Sequence, residues 1–205
     1  HIFCSYYFCY LIWKDAKTAT FTEKKMLRTA LFFMVFSTLG VWCLGPAVGM
    51  MGKTSAFYQI AIQFFLHFQF NGWFLFAVLG LFFKQTKINI DEKKFRLFYN
   101  SFVVATVLTL ALPVSWSLSN PAFYWINVIG VAIQFISFVL FYQLIRPHLK
   151  TVFAPLSFLE KTVYQFALYS LALKIIIQLV VIVPELAKVS HEIRNFVIGY
   201  IHLTM

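Results

Sequence analysis

Charge is scarce in this sequence. Only 12% of its 205 residues are charged, and Asp and Glu together number 7. Soluble domains carry about 25% charged residues. A chain that is 61% hydrophobic and 20% aromatic could not bury that surface in water-soluble form. The composition therefore excludes an ordinary soluble domain and predicts an integral membrane protein.

Motifs for soluble catalysis are also missing. The sequence has no Gly-rich phosphate or dinucleotide loop, no H-E-x-x-H motif and no G-x-S-x-G motif. Its three cysteines, Cys4, Cys9 and Cys43, lie in apolar stretches without a C-x-x-C spacing, and we interpret them as buried free thiols. The net charge of +10 does not indicate nucleic-acid binding, because Lys and Arg lie in short blocks between apolar runs.

Apolar runs that reach the length of a membrane span, about 20 residues, define the fold class. We predict an all-α, polytopic transmembrane helical bundle with five full spans and a partial span at each end. The full spans are expected at 29–51, 57–83, 97–118, 122–145 and 162–184, and the partial ones at 1–13 and 195–205. We expect residues 1–205 to form a single transmembrane domain that is a fragment of a larger protein.

Basic loops alternate with nearly neutral connections along the chain. The basic loops are 14–28, 84–96 and 146–161. The positive-inside rule places all three in the cytoplasm. We therefore expect an integral protein of the bacterial inner membrane, whose neighbours are lipid and the helices of the remaining chain.

Polar residues recur at intervals of four in the span 57–83. Gln59, Gln63, His67 and Asn71 share one drifting helix face. Gly72 lies beside this stripe and would let another helix or a flat ligand approach closely. The stripe either bonds a neighbouring helix or lines a polar path through the membrane.

Three histidines are predicted in the middle-to-outer part of the bilayer: His67, His202 and His1. His202 shares a helix face with Asn195 and Gly199. Two histidines facing each other at equal depth would suit axial ligation of a b-type haem, and imidazoles also bind copper or zinc. A histidine bonded to a neighbouring helix, or one in a proton path, is the alternative.

Lys174 is the other ionisable residue inside a predicted span. Ser170 and Gln178 lie four residues to either side on its helix face. Such a lysine either is proton-active, pairs with a carboxylate, or serves structurally by bonding polar groups and carbonyls. The predicted spans contain no Asp or Glu, so a proton pump or cation transporter would lack its usual acidic partner.

At "HFQFNGW" and "IRNFVIGYIHL" the chain resembles the haem-copper oxidase subunit I-like membrane proteins, including relatives of the NnrS type. Those proteins are helical bundles, often with about twelve spans, whose histidines bind haem or copper. The resemblance implies that His67 and His202 are the ligands of a haem or copper and that the protein has an electron-transfer partner, and the predicted depth of His1 makes it a further candidate for binding the cofactor. It also implies a role in respiration or in nitric-oxide-related redox processes.

The resemblance is incomplete around the expected metal. The sequence has no adjacent His-His pair and no His-x-x-x-Tyr motif, so a complete oxygen-reducing binuclear site is not expected. Any enzymatic activity would be that of an oxidoreductase of the haem-copper type. Two further functions stay open: a transporter or channel whose polar path is lined by Gln59, Gln63, His67, Asn71 and Lys174, or a non-catalytic membrane scaffold.

Overall fold

A computed structural model describes residues 2–16, 19–118, 120–183 and 186. These residues form helices and turns and contain no β-strand, which confirms the all-α prediction. The helices are α1 (Ile2–Asp15), α2 (Phe21–Met51), α3 (Ala56–His67), α4 (Leu75–Thr86), α5 (Glu92–Leu108), α6 (Ala111–Ser115), α7 (Pro121–Ile145), α8 (Leu149–Phe153) and α9 (Phe158–Val180). A π-helical segment, Phe68–Phe74, joins α3 to α4, and a short 3₁₀ segment, Arg146–His148, joins α7 to α8.

Five of these helical segments are long and apolar enough to cross a membrane, as predicted. They are Phe21–Met51, Ala56–Thr86, Glu92–Ser115, Pro121–Phe153 and Phe158–Val180. The chain is therefore a multi-span helical membrane protein. The predicted partial span 1–13 corresponds to α1, whereas the one at 195–205 lies outside the described residues.

Side-chain caps explain where four of the helices begin. The backbone N–H groups of Glu23, Tyr58 and Lys94 donate to the side chains of Thr20, Ser55 and Asp91, which precede α2, α3 and α5. Ser157 and Glu160 form a reciprocal capping box at the start of α9. Such caps satisfy amide donors that have no partner within the helix. Because its cap lies at Thr20, α2 begins inside the predicted basic loop 14–28.

Two prolines within predicted spans have different consequences. Pro46 lies inside the continuous helix α2. Pro113 coincides with a break, since α5 ends at Leu108 and α6 begins at Ala111. A proline lacks an N–H and crowds the carbonyl four residues earlier, here that of Thr109.

The chain divides into two compact units. Unit 1 comprises His1–Asn89 and Leu110–Phe123, and unit 2 comprises Ile90–Thr109 and Tyr124–Met205. The single transmembrane domain over residues 1–205 stays a prediction.

Unit 1 is built around α2, which packs against α1, α3, α4 and the π-helical segment. Its core is aromatic. The ring of Phe33 stacks on that of Phe68 at 5.3 Å between centroids and also contacts Phe76 at 5.4 Å. All three side chains are at most 2% exposed. Because lipid is as apolar as these rings, close packing rather than escape from water holds such helices together.

Unit 2 has its own aromatic core between α5 and α7. The ring centroids of Phe98 and Phe141 lie 5.5 Å apart. The hydroxyl of Ser137 donates to the carbonyl oxygen of Phe98 at 3.3 Å. A Cβ placed on Gly130 would lie 2.8 Å from the Cβ of Leu108, so the absence of a side chain there allows α7 to approach the end of α5.

Candidate functional site

His67 ends α3 at its junction with the π-helical segment. It is 8% exposed, and its Nδ1 lies 3.3 Å from the amide Nδ2 of Asn71. The Asn71 amide can donate its N–H to Nδ1 or, turned over, accept from Nδ1–H, so its orientation goes with the tautomer of His67. Single π-helical turns within α-helices are found frequently at functional sites. The structure therefore joins two of the four residues of the predicted polar stripe.

The remaining residues of the stripe behave differently from His67 and Asn71. Gln59 is exposed at the start of α3, where its Nε2 donates to the carbonyl oxygen of Lys53 at 3.1 Å. Gln63 is half-buried, one turn before His67. This hydrogen bond joins Gln59 to the loop that precedes α3. It explains the polar side chain at position 59 without a continuous polar path.

The space beside Gly72 is filled by a neighbouring helix. A Cβ placed on Gly72 would lie 2.7 Å from both Cβ and Cγ of Phe33 on α2. The prediction named another helix or a flat ligand as the reason for a glycine here, and within unit 1 the helix occupies that face. A planar macrocycle has no room against Gly72 on the side that Phe33 covers.

The other predicted haem or metal ligands, His202 and His1, lie outside the described residues, as do Asn195 and Gly199. Within the described residues no group of three His, Cys, Asp or Glu side chains could hold a metal ion. The described part of the chain therefore supplies one intramembrane imidazole, His67, for the predicted ligand pair.

Unit 1 contains interhelical hydrogen bonds that the sequence analysis missed. The Nε2 of Gln69 donates to the Oγ of Ser37 at 2.7 Å, and that hydroxyl donates to the carbonyl oxygen of Met34, also at 2.7 Å. The hydroxyls of Tyr6 and Thr38 lie 2.7 Å apart and join α1 to α2. Serine, threonine and glutamine often join membrane helices in this way. No periodic signal marks these pairs, since their members lie 32 residues apart in sequence.

Lys174 is the most deeply buried ionisable side chain among the described residues of unit 2. It is 1% exposed, and its Nζ donates to Oε1 of Gln178 at 3.2 Å, so these two residues lie on one face of α9. Ser170, on the other side, is half-buried. Lys174 lies six residues before Val180, the end of α9, or about 9 Å along the helix axis. An ammonium group has three donors, and this amide oxygen accepts one of them.

No carboxylate lies beside Lys174 in a described span. The five described acidic residues lie at the ends of helices: Asp15, Glu23, Asp91, Glu92 and Glu160. Within the described residues the two ion pairs are Glu23 with Lys84 and Glu92 with Arg96. Lys174 is thus a buried amino group whose described partner is a neutral amide.

The buried face of α7 carries polar residues that the sequence analysis also missed. Asn127, Gln134 and Ser137 are 3%, 2% and 0% exposed. The Oε1 of Gln134 has no hydrogen-bond partner among the described residues. The spacing of these three residues, seven and three apart, could have predicted a common face. A buried carbonyl without a donor is rare and calls for a specific explanation.

Comparisons of the chain with protein-family models, with curated proteins and with solved structures found no match. The function must therefore be argued from the residues themselves. Unit 2 contains a buried lysine on α9 with N–H donors to spare and a buried glutamine on α7 whose amide oxygen has no donor among the described residues. Groups of this kind can bind a small solute that carries negative charge or several hydrogen-bonding atoms.

Proposed function

We propose that this membrane protein is a transporter or channel for a small anion, with the ammonium group of Lys174 as its binding group in unit 2. The observation that carries the proposal is the burial of Lys174 in a membrane span beside a neutral amide. Placing a lysine at the centre of a span costs about 2.5–3.5 kcal/mol on insertion scales. An anion would neutralise this charge. It would also accept hydrogen bonds from the N–H donors of Lys174 that Gln178 does not use.

The chemistry of unit 2 favours an anion over a cation. A cation path needs carboxylates or rings of carbonyl oxygens in the membrane. The described spans carry lysine and amides on buried positions instead.

The transport proposal is tested with the full chain reconstituted in liposomes. Uptake of chloride, nitrate and acetate is measured for the unchanged protein, for Lys174→Gln and for Lys161→Gln. Lys161 is a matched control, because it is a half-buried lysine in the first turn of the same helix. We expect Lys174→Gln to reduce anion uptake by roughly tenfold or more, the factor that about 1.4 kcal/mol of lost binding or barrier energy would give. Uptake equal to that of the control would refute the proposal.

A second measurement asks whether water reaches position 174. With Cys4, Cys9 and Cys43 replaced by Ser, Lys174→Cys should react with a membrane-impermeant thiol reagent, and an anion that is transported should slow the reaction. Complete protection of this cysteine in folded protein would contradict a water-filled path.

A second candidate function rests on His67 and on the resemblance to haem-copper oxidase subunit I-like proteins. In this second candidate function, we propose that His67 binds a haem or copper ion, with His202 and His1 as the predicted further ligands. The protein would then be a respiratory or nitric-oxide-related redox protein of the bacterial inner membrane. Its support is the contact between His67 and Asn71. If the Asn71 amide is turned so that its oxygen accepts from Nδ1–H, Nε2 becomes the metal-binding nitrogen, and side-chain contacts of this kind orient ligating histidines.

A reduced-minus-oxidised absorption spectrum and elemental analysis of the purified protein separate the two candidates. A haem band or stoichiometric copper that disappears in His67→Ala, but persists in His148→Ala, would favour the redox function. His148 suits as the control because it lies in the basic loop rather than in a span. A spectrum without a haem band, together with no bound copper, would eliminate this candidate and leave the transport proposal standing.

A further inference from the structure

Unit 1 contains a groove of about 360 Å³ at the basic-loop ends of α1, α2 and α4. Asp15, Glu23 and Lys84 line its polar part. The rest of its wall is predominantly apolar and includes Phe8, Leu27, Leu31, Trp73 and Ala77. Its volume falls at the lower end of the range of small-molecule sites, roughly 300–1,000 Å³.

The groove extends along the helices from their basic-loop ends towards the membrane centre. On α2 its lining reaches from Glu23 to Leu31, eight residues or about 12 Å along the axis. One leaflet contributes about half of a hydrocarbon core of roughly 30 Å. The groove therefore has a polar end at the membrane edge and an apolar part about as long as most of one leaflet.

Glu23 is the residue that points to a ligand. Its side chain is 9% exposed, and its Oε1 lies 3.5 Å from Nζ of Lys84, whose side chain is 62% exposed. Charge-assisted N–H···O bonds are about 2.7–2.9 Å long, so this ion pair is loose. Lys84 is the partner of the Glu23 carboxylate among the described residues, although a carboxylate can accept several hydrogen bonds.

We propose that this groove binds one aminophospholipid from the leaflet that faces the basic loops. Its primary ammonium group contacts Glu23, its phosphate contacts Lys84, and one acyl chain lies along Leu27, Leu31 and Ala77. A lipid with both charges in its headgroup matches an acid and a base at one polar end. A purely anionic headgroup would bring its phosphate to the carboxylate of Glu23 with only Lys84 to offset the two negative charges.

The headgroup preference is tested on the full chain reconstituted in nanodiscs with equal amounts of phosphatidylethanolamine and phosphatidylglycerol. Native mass spectrometry then counts the lipids of each kind that stay bound after release from the nanodisc. We expect phosphatidylethanolamine to be retained preferentially. Glu23→Gln should lower the ratio of the two retained lipids by roughly tenfold, the effect of one charge-assisted hydrogen bond. Glu92→Gln, which removes a carboxylate paired with Arg96 at 2.8 Å outside the groove, should leave the ratio unchanged.

The position of the acyl chain is tested by filling the groove. Ala77→Trp should reduce the retained lipid by roughly tenfold by occupying the groove, whereas Val78→Trp, at a 39% exposed neighbouring position outside the groove lining, should not. Circular dichroism and gel filtration establish that each variant is folded. If Ala77→Trp does not fold, the Glu23→Gln ratio still decides the headgroup contact. Equal retention of both lipids by the unchanged protein, or an unchanged ratio in Glu23→Gln, would overturn the proposal.

Discussion

The two units treat buried polar groups in different ways. In unit 1, Ser37 bonds Gln69 and Tyr6 bonds Thr38, each across two helical segments. In unit 2, Lys174 has one neutral partner, and the Oε1 of Gln134 has none among the described residues. Polar groups that bond one another hold helices together, whereas polar groups with donors or acceptors to spare suit a solute. The pairs in unit 1 thus indicate helix packing, whereas Lys174 and Gln134 in unit 2 suit binding, although the Nε of Arg28 in unit 1 also has no hydrogen-bond partner among the described residues.

The largest expected effect comes from the aromatic core of unit 1. Phe33→Ala removes a ring that packs on Phe68 and Phe76 and faces Gly72. We expect a loss of about 3 kcal/mol in unfolding free energy, the lower end of the soluble range, because lipid removes most of the transfer contribution. Titration with SDS in mixed micelles measures it. Phe32→Ala, at a 57% exposed position, is the control and should cost well under half as much.

An intermediate effect is expected where α2 and the π-helical segment meet. Gly72→Ala would place a methyl group 2.7 Å from Phe33 and should destabilise the protein by about 1–3 kcal/mol through overpacking. Gly49→Ala meets nothing within 4 Å and should be neutral or stabilise α2 slightly. The same micelle titration compares the two variants. Equal stabilities would mean that Phe33 does not occupy the face of Gly72.

The smallest expected effects come from two substitutions that each remove a buried polar group, one in unit 1 and one in unit 2. Ser37→Ala deletes an interhelical hydrogen bond and should cost about 0.6 kcal/mol, and at most about 1.7 kcal/mol. Gln134→Met removes an acceptor that lacks a donor, so stability should stay unchanged or rise by up to about 1 kcal/mol. Titration with SDS in mixed micelles, without added chloride, nitrate or acetate, provides both values. A clear loss in Gln134→Met would show that this amide also holds helices together, and the contrast between the units would fail.

Much of the fold could be predicted because spans depend on local sequence. Each of the five predicted spans overlaps a helix. In three of them the cap at Thr20, Ser55 or Asp91 starts the helix several residues at most before the predicted beginning of the span. Adjacent polar residues on one helix were also predictable. His67 meets Asn71 four residues on, and Lys174 meets Gln178 at the same spacing.

Contacts between helices were not predictable from periodicity. The stripe on α3 suggested one continuous polar face, but Gln59 bonds the preceding connection. The sequence allowed either a neighbouring helix or a ligand as the reason for Gly72. Only the position of Phe33 showed that a helix covers it. The buried residues of α7 went unnoticed because asparagine, glutamine and serine look alike in sequence whether they face lipid, a helix or a solute.

The sequence by itself determined that this chain lies in a membrane, where its spans run, and that Lys174 lies within one of them. These properties follow from the transfer of each segment into lipid, which depends on that segment's own residues. Only the tertiary structure decided which polar groups are satisfied, that Phe33 covers Gly72, and that Glu23 lies at the end of an apolar groove. Those outcomes depend on side chains brought together from distant parts of the chain, and no local pattern encodes such partners.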